Sequence, residues 1–202
     1  MATVYIVRHG NTFAPAEPPR RVGSGTDLPL VASGVAQAQA LAVHFEVRGV
    51  RFTQALTSPL QRARATAAAI LARQPQPPAL SVSTLLTEID HGPDENQPED
   101  AVRARVGQEA LTLWDEHAIP PPGWQVEAEA RIVGWRDLFG QLAGTGEVVL
   151  AATSNGAARF ALMAANASPL GPSGLKLATG AYGVLEVGTS AEVRVAAWNA
   201  RP

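Results

Sequence analysis

Apolar positions along the chain follow two rhythms. Short runs of β-branched and aliphatic residues predict buried strands within Val4 to Thr12, at Phe52 to Thr57, at Leu80 to Leu86 and at Glu147 to Thr153. Between them, apolar residues three and four apart predict helices. Val35, Ala38, Leu41, Ala42 and Phe45 mark one from Ser33, a candidate N-cap, to about Arg48, with Gly49 as its stop. Ser58 as a cap and Pro59 in the first turn open a second helix that runs to about Arg73. Glu99 to His117 reads as a third, with Val102, Val106, Leu111 and Leu113 or Trp114 facing inward despite Gly107. Val126 to Leu142 makes a fourth, with Ala130, Val133, Leu138 and Leu142 in register, and Ala157 to about Asn166 a fifth. Gly183 to Val187 and Val193 to Trp198 read as a terminal strand pair around a Gly-Thr-Ser turn. This alternation predicts one domain over residues 1–202, a three-layer α/β/α sandwich whose mainly parallel sheet has an antiparallel edge.

Composition narrows the function classes. With 46% hydrophobic and 17% charged residues, the 202-residue chain is globular and long enough for a full core. A net charge of −2 supplies no basic field, so nucleic acid and anionic membrane are not expected as partners. The absence of cysteine excludes disulfides, thiolate nucleophiles and Cys-ligated zinc. The chain enters its first strand directly, and no apolar run nears membrane-spanning length, so a soluble cytoplasmic protein is expected. Lys176 is the sole lysine, so a phosphate grip has to come from arginine.

The candidate chemistry collects where strands end. The first strand delivers Arg8, His9 and Gly10 to the carboxyl edge of the sheet, where ligands of open α/β sheets gather. An imidazole beside a guanidinium and a glycine there can attack or grip a phosphoryl group; the plain alternative is an exposed strand end. Phe13 to Thr26, rich in Pro, Gly and Arg, reads as a loop able to bring Arg20 and Arg21 over a ligand. Arg62 and Arg64 fall in the first turns of the second helix, where the dipole and free N–H groups favour an anion. Glu88, with Asp90 second, is placed to exchange protons just past the third strand, unless the acidic stretch around Asp94, Glu95, Glu99 and Asp100 is merely a solvated loop. Ser154-Asn155-Gly156 repeats the strand-end geometry of Arg8-His9-Gly10. His44 reads as a solvated side chain, His117 as a helix-end cation, and Trp114, Trp124 and Trp135 as core and loop anchors.

Two separated segments together resemble the histidine phosphatase superfamily, the phosphoglycerate-mutase-like fold. Arg8-His9-Gly10-Asn11-Thr12 is similar to that family's Arg-His-Gly-x-Thr opening, and Ser58-Pro59-Leu60-Gln61-Arg62-Ala63-Arg64-Ala65-Thr66-Ala67 to its second signature. Asp27, Pro29, Leu30, Gly34, Gln37, Ala38 and Leu41 fit the stretch between them, and Glu88 with Gly92 fits the acidic loop. The resemblance spans most of the chain and is weakest between Pro93 and Trp124. It implies that His9 attacks phosphorus and becomes phosphohistidine, that Arg8 and Arg62 bind the phosphoryl oxygens, and that Glu88 protonates the leaving alcohol and then deprotonates water. No metal or other cofactor is implied, and the partner is a small phosphorylated substrate or inorganic phosphate. Asn11, Thr12, Arg20, Arg21, His91 and Gly156 are candidate substrate contacts, and the chain is expected to be a monomer or homodimer.

Two positions depart from the family pattern. Asn155 stands where relatives carry a second histidine; its amide donates but brings neither charge nor a titrating proton. His91 is the other histidine near a presumed site residue and a candidate substitute. Pro15 replaces a common phosphate-contacting asparagine. An insertion near Gly23 to Asp27 leaves the roles of Arg20 and Arg21 open, and the single lysine disfavours a phosphoglycerate mutase. The leading expectation is therefore a metal-independent phosphomonoesterase slowed by Asn155, natural or engineered. A phosphoester binder without turnover and a partner-binding α/β domain are the alternatives.

Overall fold

The computed structural model describes residues 1–165 and 174–202. Its sheet has six strands in the order β3-β2-β4-β1-β5-β6: β1 (Ala2–Arg8), β2 (Gln54–Thr57), β3 (Leu80–Val82), β4 (Val148–Thr153), β5 (Tyr182–Val187) and β6 (Val193–Ala200). The first four run parallel, while β5 pairs antiparallel with β1 and β6 antiparallel with β5. The expected mixed sheet is thus present, with β1 and β4 at its centre.

Alternation along the central strands sends side chains into two separate cores. Val4 and Ile6 of β1 and Val149 and Ala151 of β4 face one core, packed against Trp114 and Leu111 of α3 (Glu99–His117), Trp135 and Phe139 of α4 (Ala128–Leu142) and Phe160 of α5 (Asn155–Ala164). Val7, Leu150 and Ala152 face the other, packed against Phe45 of α1 (Ala32–Val47) and Ile70 of α2 (Gln61–Leu71). Helices thereby cover both faces of the sheet, and the tryptophans serve as the expected anchors.

Local expectations need several corrections. Ser33 does not cap α1; the helix starts at Ala32 after an extended Val31, and Ser33 Oγ instead accepts a hydrogen bond from Asn11 Nδ2 at 3.3 Å. Pro59 precedes α2 rather than lying in its first turn, because Leu60 is still extended. Ser58 Oγ accepts from Leu60 N at 3.3 Å, so it supports the approach to the helix rather than its first turn. β2 begins at Gln54, not Phe52, and the run Leu80 to Leu86 yields only three strand residues before a 3₁₀ turn at Thr84–Leu86. That turn buries Leu86 and aims the chain at Glu88. Gly107 interrupts α3, with φ of 82° and ψ of 158°. Val35, Ala130 and Val133 are exposed, because their helices pack on narrower faces than the periodicity suggests, and Trp114 rather than Leu113 turns inward. His44 is half-buried rather than simply solvated: its Nε2 meets Tyr182 Oη at 2.8 Å. α5 starts two residues before Ala157, at Asn155, and its expected end at Asn166 lies outside the described residues.

Candidate active site

His9 leaves the sheet directly after β1, its N–H donating to Thr153 O at the end of β4 across 3.0 Å. The turn that follows needs glycine. A Cβ on Gly10 would overlap Gly34 O, so backbone meets backbone there, and Gly10 N donates to Thr66 Oγ1 of α2 at 3.2 Å. The imidazole is held at both nitrogens. Nδ1 lies 2.8 Å from Gly10 O, which can only accept, and Arg62 Nε, which can only donate, lies 3.2 Å from Nε2. Both contacts require the tautomer with hydrogen on Nδ1 and a lone pair on Nε2. Burial, then the charges of Arg8 and Arg62, push the His9 pKa well below its ordinary value, outweighing the opposing bond to Gly10. The ring is therefore a neutral base with a nucleophilic nitrogen turned toward guanidinium groups.

Arg62 is fully buried at the start of α2. Besides His9 it donates to Thr26 O at 2.7 Å and Gly23 O at 3.0 Å, so one guanidinium fixes the His9 imidazole and the loop that passes over it. Burial lowers its pKa, opposed by Glu88, Asp27 and Glu95. Arg8 donates to Leu177 O at 2.8 Å, and burial brings it down to about 10, with Glu88 opposing and Arg62 and Arg21 adding to the fall. Both groups remain cationic at neutral pH.

Glu88 is buried rather than part of a solvated loop. Its Oε1 accepts from Ile89 N at 2.9 Å and its Oε2 from Gly156 N at 3.1 Å, which leaves each oxygen a second lone pair. A Cβ on Gly156 would overlap Glu88 Oε1, so glycine is required there for the carboxylate to approach the start of α5. Asp90, the other candidate, accepts from Gly92 N at 2.7 Å and braces a turn. Arg64 is exposed on the outer side of α2 and takes no part.

Asn155 and Arg8 bind the backbone of the same residue, Leu177. Asn155 Oδ1 accepts from Leu177 N at 2.8 Å, while Leu177 O accepts from Arg8. Because Leu177 N can only donate, the amide orientation is unambiguous and Nδ2 is the side-chain donor left over. Two adjoining cavities share Arg8, Glu88 and Arg20 in their walls. The smaller, about 190 Å³, also meets His9, Asn11 and Thr12. The larger, about 360 Å³, meets Arg21, His91, Asn155 and Gly156. Arg62 lines neither space and reaches the site through its bond to His9. The other residues that the family resemblance assigns to the site each line one space or both.

Two further residues shape the site without a clear mark in the sequence. Glu95 belongs to an acidic stretch that reads as solvated, yet its Oε1 accepts from Gly23 N at 2.8 Å and Thr26 Oγ1 at 2.6 Å and ties the Arg20-Arg21 loop to the segment after Glu88. Burial would raise its pKa, but hydrogen bonds from His91, Thr26 and the Gly23 and His91 amides hold it down to about 2. Arg159, one turn beyond Asn155, is buried with its guanidinium 3.9 Å from the Trp114 ring and bonded to Trp114 O. Burial lowers it to about 10, chiefly against the opposing charge of Glu88. An arginine alone in the run Gly156-Ala-Ala-Arg-Phe-Ala-Leu162 is the signal available for it.

The sequence of the chain matches the model of the histidine phosphatase superfamily, branch 1, over residues 4–201. The chain belongs to that family. It is 31% identical over 135 residues to a 2,3-bisphosphoglycerate-dependent phosphoglycerate mutase of Methylobacterium, a match that takes in 64% of this chain and 65% of the mutase. Its fold superposes on a mycobacterial glucosyl-3-phosphoglycerate phosphatase with a TM-score of 0.80 at 20% identity, covering 99% of both chains. YhfR of Bacillus stearothermophilus gives a TM-score of 0.79 at 23% identity, covering 100% of this chain and 98% of that one. Within the histidine phosphatase family, members of this fold include both mutases and phosphatases.

Proposed function

We propose that this histidine phosphatase family member hydrolyses small phosphomonoesters through a phosphorylated His9. The observation that carries the reading is the double restraint on the imidazole, which leaves Nε2 unprotonated against the Arg62 guanidinium and within the field of Arg8. Nε2 attacks phosphorus as the bond to the leaving oxygen breaks, and Glu88 gives that oxygen its proton. Water then attacks the phosphohistidine, Glu88 takes the water's proton, and inorganic phosphate departs. Arg8 and Arg62 act throughout on the charge that accumulates on the phosphoryl oxygens, and the Nδ2 of Asn155 supplies a neutral donor.

A neutral amide at position 155 makes this a slow enzyme. A hydrogen bond to a charged partner is worth about 1.5 to 3 kcal/mol, so a donor without charge gives up about one to two orders of magnitude in rate. The same feature favours a second reading, a phosphoester binder in which the arginine pocket persists without turnover. Acid-quenched labelling with a radioactive phosphoester distinguishes them. The first reading expects label on the wild-type protein and none on His9→Ala; equal labelling of both, or none on either alongside tight phosphate binding, rejects it.

A further inference from the structure

The larger cavity is too roomy for a phosphoryl group alone, and it falls within the size range of sites for small organic ligands. Taking the phosphoryl group at His9 and Arg8, the remaining space receives the alcohol that leaves. Its charges nearly cancel: Arg21 is paired with Glu99, and Asp115 and Glu88 stand against Arg20 and Lys176. Among the described residues, apolar side chains in the wall come from Pro19, Val22 and Trp114. A neutral, polar leaving group suits such a wall better than a second anion or a hydrocarbon.

His91 refines this. Its ring is 5% exposed, packed edge-on against Trp124 at 4.5 Å between centroids, and forms part of the cavity wall. Nδ1 is buried and faces Glu95 Oε2 at 3.5 Å, inside the structure. Glu95 is an ionised carboxylate and can only accept. The carboxylate favours a ring hydrogen on Nδ1, which leaves Nε2 as the acceptor side of the ring.

We propose that His91 Nε2 accepts a hydrogen bond from a hydroxyl of the leaving group, so that the substrates are monophosphates of polyhydroxylated alcohols such as sugars and polyols. This rests on the phosphoester reading of the site, but its test reads binding rather than turnover. Calorimetry compares glucose 6-phosphate, ribose 5-phosphate and glycerol 3-phosphate with butyl phosphate, which carries the same phosphate and no hydroxyl. At least one hydroxylated ester binds about five- to tenfold more tightly, the worth of one neutral hydrogen bond, and His91→Phe brings the ratio toward one while keeping the stack on Trp124. In the wild-type protein the ¹⁵N signal of His91 Nε2 shifts with that ester and not with butyl phosphate. Absence of any preference, a preference that survives in His91→Phe, or an unmoved Nε2 signal overturns the inference. Hydrolysis of none of the four esters overturns the phosphatase reading and leaves the binding preference standing.

Discussion

Arg62 Nε directs its hydrogen at His9 Nε2 across 3.2 Å, so the nitrogen that would attack phosphorus rests on a guanidinium. Under the proposed mechanism, a phosphoryl group arriving between them would exchange one partner for another: Nε2 would gain phosphorus and Arg62 an anionic oxygen. The resting contact keeps the imidazole aimed, and the carbonyls of Gly23 and Thr26 keep the guanidinium aimed in turn.

Arg62→Ala removes three directed bonds and leaves two carbonyls of the covering loop without their donor. A loss of about 2 to 4 kcal/mol in stability is expected by urea denaturation, together with loss of phosphate binding by calorimetry. Arg62→Lys keeps the charge but cannot reach all three acceptors, so it recovers part of the stability and little of the binding.

At position 155, two substitutions separate the structural role from the chemical one. Asn155→His adds the missing imidazole and is expected to raise phosphatase kcat by about ten- to a hundredfold. The lost bond to Leu177 N lowers stability by about 1 kcal/mol. Asn155→Asp keeps an acceptor for Leu177 N but places negative charge beside the phosphate, so the fold is retained while phosphate affinity falls by about tenfold or more. An unchanged kcat in Asn155→His means that this position does not limit the reaction.

Gly156→Ala tests the placement of Glu88. The new methyl occupies the space of Glu88 Oε1 and forces the carboxylate away from the Gly156 amide. Circular dichroism should show an intact fold, while kcat drops about a hundredfold, within the range ascribed to a lost general acid–base group. A variant with wild-type kcat would remove Glu88 from the reaction.

Acid weakens this protein in two separate windows. The unfolded chain binds a proton at His9 near pH 6.5, but in the folded state burial and two arginines keep that proton off. Stability therefore falls as pH drops below about 6.5, and His9→Gln should lose that slope in denaturation curves taken from about pH 7.5 to 5. Glu95 acts lower. Its folded pKa of about 2 against an ordinary 4.5 means that its contribution is complete above pH 4.5 and fades as pH falls toward 2. Glu95→Gln should be less stable than wild type at neutral pH, with the gap closing as the medium approaches the folded pKa of about 2.

Much of this is legible in the chain because it is local. The β-branched apolar run before Arg8 dictates a buried strand, and Arg8, His9 and Gly10 stand at its end. The two signatures, Arg8 to Thr12 and Ser58 to Ala67, carry His9 and the arginine that meets it. Helix faces are less legible, since Val35, Ala130 and Val133 match the apolar period and still face water. Hydrophobic spacing says which residues can be buried, and packing against a particular sheet says which are.

What needed the tertiary structure were contacts between distant segments. Glu95 reads as one acid among several until Gly23 and Thr26, in a loop far earlier in the chain, are seen to donate to it. Asn155 reads as a lost histidine until it is found bonded to Leu177, the residue whose carbonyl holds Arg8. The tautomers of His9 and His91 follow from which partners can only donate and which can only accept. Composition and periodicity determine the strands, the helices and the reactive groups at their ends; the approach of the loops decides which of those groups meet, because burial and hydrogen bonding between remote parts of a chain have no local signature.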